Sequence, residues 1–360
     1  MARYPCVPYV LVLAVSATPA QGHIFCVETA AELTSALDGA DSNGESDEIR
    51  LRKGTYSMAN GVYYDYDAIA SENFDIEVSG GWYQRGPAPC GAQSDDPWET
   101  VLDGENAETV LRFKSLGVQQ SALTVRLLTF MSGFESHPQA DTTGGLDVLW
   151  WWFDVEAPTA GSIVIERNVF LLNDAEHALS VNGGFPRVTN NLFLLNGDHS
   201  FGASVELATW DIFGSAFSNN TVLGNDGAGL QIYGRGEVVN NNFRDNGSHD
   251  VVQVNTDDDL FLYNNNYQSF DVGAGAFIED NITVEPEYQA GLFNYTPVRG
   301  SPLVDAGREP QSALALWHLT DVDLNGSPRL VGAHVDIGAF ENERILVNGF
   351  DPQGPFERPE

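Results

Sequence analysis

The feature that most restricts the fold is a short motif that keeps returning with no helix between its copies: Asn, any residue, an aromatic or β-branched residue, two residues, then Asn. It reads Asn168-Val-Phe170-Leu-Leu-Asn173, Asn191-Leu-Phe193-Leu-Leu-Asn196, Asn220-Thr-Val222-Leu-Gly-Asn225 and Asn241-Asn-Phe243-Arg-Asp-Asn246. A weaker copy begins at Asn265 with Tyr267, and the first asparagines stand 23, 29, 21 and 24 residues apart. Each copy is followed by a polar loop and an alternating segment: Leu179/Val181, Val205/Leu207, Leu230/Ile232, Val252/Val254. A third apolar segment lies around Val188, Phe213, Val238 and Leu262. Three short strands per repeat, with no stretch long enough for a covering helix, spell a parallel β-solenoid whose coils bury apolar side chains by stacking. Asparagine at a fixed coil position suits a turn, because it tolerates left-handed backbone angles, and stacked Asn side chains can hydrogen-bond into ladders.

Upstream, Leu123 to Phe130 matches Ile163 to Phe170 at an offset of 40, which predicts one coil carrying an insertion over 134–147 and 154–161. Ala30, Leu33, Ala36 and Leu37 share one helical face, followed by a strand over 48–56. A short N-terminal helix there would cap the open end of the solenoid.

Charge narrows the partners. Lys+Arg number 17 against 51 Asp+Glu, a formal charge of −34, and Lys53 and Lys114 are the only lysines. A nucleic-acid binder needs a basic footprint, so nucleic acid is excluded as a partner. Met1-Ala2-Arg3, an apolar stretch from Val7 to Ala17, and Ala17-Thr-Pro-Ala20-Gln21 read as a secretory signal peptide over 1–21, cut after Ala20 or Gly22. No later segment has the length of a transmembrane helix, and a secreted monomer is expected. Of the cysteines that would remain, Cys26 and Cys90 could form a disulfide or stay as two thiols; spacing alone does not choose.

These residues together resemble the secreted bacterial right-handed parallel β-helix proteins of the pectin-lyase-like superfamily. Ala31-Glu-Leu with Asp47-Glu-Ile-Arg-Leu-Arg-Lys-Gly-Thr-Tyr56 is similar to that superfamily's N-terminal cap. Residues 301–307 (SPLVDAG) and 320–341 (TDVDLNGSPRLVGAHVDIGAFE) resemble the C-terminal module called choice-of-anchor Q, and 344–351 (RILVNGFD) resembles a tail of exported proteobacterial proteins. The resemblance implies an all-β, right-handed parallel β-helix with a short N-terminal capping helix. Its expected parts are the leader, the cap and first coils (22–120), the helix repeats (121–285), the C-terminal module (286–343) and a tail (344–360). It also implies export, to the extracellular space or to the outer cell surface.

Five groups could carry chemistry. The loops after the repeated asparagines bring Asp174, Glu176 and His177, Asp198 and His199, Asp226, and His249 and Asp250 to neighbouring coils. Stacked about 4.8 Å apart per coil, such carboxylates could pair for glycoside hydrolysis or hold calcium, or serve as solvated turns. Asn255-Thr-Asp257 resembles one polygalacturonase motif, whose companions Gly-His-Gly and Arg-Ile-Lys are missing from this chain. Asp226, Asp250 and Asp257 are thus the catalytic candidates for a polysaccharide lyase or glycoside hydrolase.

Ser180, Glu206, Gln231 and Gln253, with Tyr233 and Asn182 beside them, alternate against core residues and should face outward, a polar face suited to sugar hydroxyls. In Leu149-Trp150-Trp151-Trp152-Phe153, alternation puts Trp150 and Trp152 on one face and Leu149, Trp151 and Phe153 on the other, so one face is either covered by the insertion or free for stacking on a ligand, with Trp150 and Trp152 the candidates. Asp321-Val-Asp323-Leu-Asn325-Gly326 opens like a calcium loop, but Gly332 stands where the bidentate Glu belongs. The alternative there is a sharp turn with Arg329 paired to Asp336 or Glu341. With no complete catalytic set, the sequence favours an extracellular or cell-surface protein that binds carbohydrate or another surface partner.

Overall fold

The computed structural model describes residues 22–66, 74–116, 121–134, 143–151, 162–197, 202–209, 214–311 and 315–342. Its strands form three sheets of 11, 7 and 8 strands, parallel except for one hairpin of Ile76–Arg85 with Ala88–Gln93. One coil runs through Ser162–Glu166 in sheet 1, Val169–Leu171 in sheet 2 and His177–Gly183 in sheet 3. The next repeats the path with Phe185–Thr189, Leu192–Leu194 and Ala203–Ala208. Each strand pairs with the equivalent strand one coil on, which makes a right-handed parallel β-helix.

The repeated asparagines hold the coils together from inside. The backbone N–H and the side-chain amide of Asn168 both donate to Oδ1 of Asn191, at 2.9 and 3.2 Å. The same exchange continues through Asn220, Asn241, Asn265 and Asn281. A second ladder links Asn173, Asn196, Asn225 and Asn246. The left-handed residue is not the ladder asparagine, as the motif suggested, but its predecessor: Leu127, Arg167, Asn190, Asn219, Asn240, Asn264 and Asp280 have φ between 50° and 57°. That bend turns the ladder side chain inward, where its amide replaces the hydrogen bonds the corner takes from the backbone.

Aromatic rings stack beside the ladders. Phe130, Phe170 and Phe193 follow one another at 5.0 and 4.7 Å between ring centroids. Val222 takes the next position in sheet 2, and Phe217 of sheet 1 fills the space it leaves, 6.1 Å from Phe193 and 5.9 Å from Phe243. Phe213, expected in the third apolar segment, lies outside the described residues; Phe217 aligns with Val188 and Val238 instead. The insertion expected over 134–147 also ends early, because Thr143–Trp151 is already a sheet 3 strand.

At the N-terminal end, helix α1 (Ala30–Ser42) buries Leu33, Ala36, Leu37 and Ala40 over the first coil. Thr29 Oγ1 accepts the Glu32 N–H at 3.2 Å and the Glu32 carboxylate accepts the Glu28 N–H at 2.7 Å, which caps the helix. Cys26 and Cys90 form a disulfide across a Cα separation of 5.8 Å. The C-terminal module lies along the side of the solenoid. Its Leu324, Ala339 and Phe340 cover the outer face of sheet 2, and Trp317 packs on Ala216 and Val239 of sheet 1. Sheet 2 is thus apolar on both faces, which is why Val-Phe-Leu and Leu-Phe-Leu show no alternation. No helix among the described residues is long and apolar enough to cross a membrane.

Candidate functional site

Sheet 3 keeps a polar outer face, and no module residue belongs to an apolar cluster on it among the described residues. Its register brings Tyr63, Arg112, Asp147, Ser180, Glu206 and Gln231 into one row across six coils, spaced by about 4.8 Å. A second row carries Leu149, Asn182, Ala208 and Tyr233.

The side chains in these rows hold one another. Gln231 Nε2 donates to Tyr233 Oη at 2.6 Å, and Ser180 Oγ donates to Glu206 Oε1 at 3.3 Å. His177 sits at the start of its strand with Nδ1 2.7 Å from the Ala203 carbonyl and Nε2 3.4 Å from Glu206 Oε2. Arg112 Nε donates to Asp147 at 2.7 Å and its guanidinium lies over the Tyr63 ring at 5.2 Å. Glu206 keeps 18% of its side chain exposed, so the carboxylate is anchored yet reachable. Burial and then the Glu206 charge push the Tyr233 phenol above its ordinary pKa, so it stays a neutral donor.

Three of the six proposed ligand contacts, Glu206, Gln231 and Tyr233, therefore converge. Gln253 does not. It pairs with Ile232, while Val252 pairs with Gln231, so the strand sits one residue from the expected register and every side chain changes face. Gln253 is 4% exposed, donates to the Asp258 carbonyl at 2.9 Å and accepts the Gly273 N–H at 3.0 Å, tying down the last coils. Trp150 is also corrected: it is 1% exposed and points into the core, with Gly183 and Ser115 as its strand partners. Those small neighbours make room for the indole inside. Trp152 lies outside the described residues.

The catalytic candidates do not assemble. Asp250 is 1% exposed and accepts from Asn246 Nδ2 at 2.8 Å and from the Gln268 and Ser269 backbone, so it ends the second asparagine ladder. Asp226 is exposed at the same edge of sheet 3, before Ala228–Tyr233, whereas Asp257 is exposed in the turn after Val251–Gln253, at the opposite edge. Six strand residues put those edges roughly 20 Å apart, too far for one bond to be worked on from both sides.

The calcium loop closes as a turn. Asp323 Oδ1 accepts the Asn325 and Ser327 N–H groups at 2.9 and 2.8 Å, and Oδ2 accepts the Glu341 N–H at 2.8 Å. Asp321 is exposed, the Asn325 amide donates to Thr296 Oγ1 at 3.5 Å, and among the described residues no group of three His, Cys, Asp or Glu side chains could hold a metal. The donor set does not fit the ion. Arg329 instead lies between Glu341, at 3.5 Å, and the carbonyls of Asp336 and Gly338.

Arg112, Asp147 and His177 were not marked as members of this face. Leu146/Val148 alternating around Asp147 carries the signal for one of them; the place of His177, at the mouth of its strand, follows from the turn and leaves no periodic trace. A scan against protein-family models finds no match for the chain, and neither does a search of curated proteins.

Proposed function

We propose that this chain is an exported, extracellular or cell-surface β-helix protein that binds carbohydrate along the outer face of sheet 3 without turning it over. The bonded pairs Ser180–Glu206 and Gln231–Tyr233, side by side on the long face that the C-terminal module leaves open, carry this reading. Sugar hydroxyls need donors and acceptors already fixed in place, and an aromatic edge for the ring's C–H face. Side chains that restrain each other lose little further freedom on binding, which favours weak polar ligands. The repeat of about 4.8 Å per coil suits an extended polymer lying across the coils. With a formal charge of −34 the surface repels polyanions, so neutral or amino-bearing saccharides are the fitting class. The resemblance of the coils to the pectin-lyase-like superfamily, and of residues 301–307 and 320–341 to a choice-of-anchor Q module, supports a place at the cell surface.

A glycan array combined with a reducing-end and unsaturated-product assay tests the reading. Neutral or amino-sugar oligosaccharides should bind, with affinity falling about tenfold in Gln231→Ala or Tyr233→Ala, the size of one lost polar or stacking contact. Product release abolished by Glu206→Gln would show a hydrolase or lyase instead.

A further inference from the structure

Beside the N-terminal end of sheet 1 lies a cavity of about 560 Å³ whose lining includes Gly22, Ser46, Asp47, Glu48, Asp75 and Glu77 and no basic side chain. Glu48 pairs with Arg50 and Glu77 with Arg126. Asp75 uses Oδ1 on the Ala122 N–H at 2.8 Å and its carbonyl on the Asp47 N–H at 2.8 Å. Asp47 is different: it is 3% exposed, Oδ1 accepts from Asn43 at 2.9 Å, and Oδ2 is buried with no hydrogen-bond donor. A buried carboxylate oxygen without a donor carries the full cost of leaving water. Burial accordingly raises the Asp47 pKa.

The segment that enters this cavity is the start of the described chain. The His23 carbonyl accepts the Glu48 N–H at 2.9 Å, and a Cβ on Gly22 would stand 1.7 Å from the Ser46 carbonyl oxygen. Only glycine brings the backbone this close to Ser46 and Asp47. Cleavage after Ala20 or after Gly22 would place a new chain end on Gln21 or His23, on either side of that contact.

We propose that this cavity receives the α-ammonium group created by removal of the leader, and that Asp47 Oδ2, with Asp75 beside it, is its counter-charge. The inference rests on the export reading above. A leader peptidase would add water across the Ala20–Gln21 or Gly22–His23 bond; the leader leaves with the carboxylate, and the new amine takes up a proton at neutral pH. Before cleavage the same position holds a neutral amide, so Asp47 faces no ammonium group and has the His23 side chain as its positive neighbour. Afterwards three N–H donors and a positive charge face it. Together with the disulfide from Cys26, the ion pair would lock the first edge strand, Ile24–Val27, only in the processed protein.

The test begins with the exported protein, whose start is read by intact mass and N-terminal sequencing. That protein is then compared with its N-acetylated form, each with the native Asp47 and with the Asp47→Asn substitution, by thermal unfolding and by NMR titration of the ¹³C-methylated α-amine. The α-amine should titrate at least about one pH unit above the ordinary range of 7.7–8.0, since Asp47 and Asp75, with Glu45 nearby, outweigh His23, while Glu48 and Glu77 are balanced by Arg50 and Arg126. Asp47→Asn should return it to that range, and acetylation should lower the melting temperature of the native chain but not that of the Asp47→Asn variant. If Asp47→Asn does not fold, Asp75→Asn should produce a smaller fall in the amine's pKa. An amine titrating at its ordinary value, or equal acetylation effects in both backgrounds, overturns the pocket while leaving export intact. So does a Gln21 start that has lost ammonia by cyclising, because that end carries no charge. A chain that keeps its leader after export overturns both readings, and calcium restoring the acetylated form would show an inorganic cation site instead.

Discussion

The asparagine ladders of the solenoid and the charged cluster of the C-terminal module are equally buried, yet they meet the cost of burial in opposite ways. Each amide inside a ladder is neutral and satisfied on both sides by identical amides one coil away, as where Asn220 accepts from Asn191 and donates to Asn241. The cluster places one guanidinium among Asp323, Asp336 and Glu341, with Arg329 Nε and Nη1 making no hydrogen bond. A ladder repeats, so its parts are interchangeable; the cluster is a single charge balance with no second copy. The first should be indifferent to pH and the second governed by it.

The largest effect is expected where that balance is broken. Arg329→Met removes the only cation among three buried carboxyl groups and should cost about 3–5 kcal/mol, read as early loss of the Trp317 fluorescence signal while the solenoid's circular dichroism persists. Replacing Glu341 by Leu in the same chain should recover part of the loss, since an apolar group needs no partner. The intact protein should show the same physics in its pH profile. Burial raises Asp336 from its ordinary 3.8 to about 6 and Glu341 from 4.5 to about 8. Raised folded pKa values mean the folded state binds more protons than the unfolded one between those limits. This contribution is full below about pH 4 and is lost as pH rises through about 6 and then about 8, so the module should loosen on the alkaline side. A flat urea profile for Trp317 from pH 4 to 8 would refute the assignment.

An interruption of a ladder should rank second. Asn220→Leu strands the Val188 carbonyl and takes the acceptor from the Asn191 backbone N–H and side-chain amide, while Asn241 Oδ1 keeps the N–H of residue 220. At roughly 1–3 kcal/mol per orphaned group, partly relieved by water, the net loss should be about 3 kcal/mol. Unlike the cluster variant, it should have the same effect at pH 5 and pH 8. Hydrogen exchange should report faster opening in the coils on both sides of residue 220.

The contrast also explains what could be read from the sequence. The ladders were visible because a one-dimensional stack repeats its requirement every 21 to 29 residues, and the Asn-x-Phe-x-x-Asn spacing prints it directly. The left-handed bend lies one residue before the motif's first Asn, and the pairs Asn190-Asn191, Asn219-Asn220, Asn240-Asn241 and Asn264-Asn265 print both positions alike, so residue type does not say which of the two bends; Leu127 and Arg167 separate them. Gln253 is hidden from a pattern reading because burying Val252 and Val254 looks better than burying Val251 and Gln253, and the observed register is held by the bonds of Gln253 to Asp258 and Gly273 beyond the strand. The outer row of sheet 3 is half legible: Glu206 and Gln231 follow from alternation, whereas Arg112 and Asp147 join it through a strand whose register shifts between Thr143 and Leu146. The Arg329 cluster has no repeat, so its spacing fits a calcium loop or an arginine–carboxylate pair equally, and the 3.5 Å between Arg329 and Glu341 selects the pair.

The smallest effect tests how interchangeable the coils are. Phe217 crosses from sheet 1 to occupy the place that Phe170 and Phe193 hold from sheet 2, and it does so where Val222 is small. Val222→Phe alone puts two rings into one space and should cost about 2 kcal/mol through overpacking. Phe217→Val alone opens a cavity and should cost a similar amount. The double variant restores the volume with the ring now on sheet 2, continuous with its neighbours, and should lie within about 1.5 kcal/mol of the original. Such recovery would show that a coil specifies how much core it supplies rather than which sheet supplies it. If the two losses simply add, each coil is as singular as the Arg329 cluster, and the difference between the two regions reduces to charge.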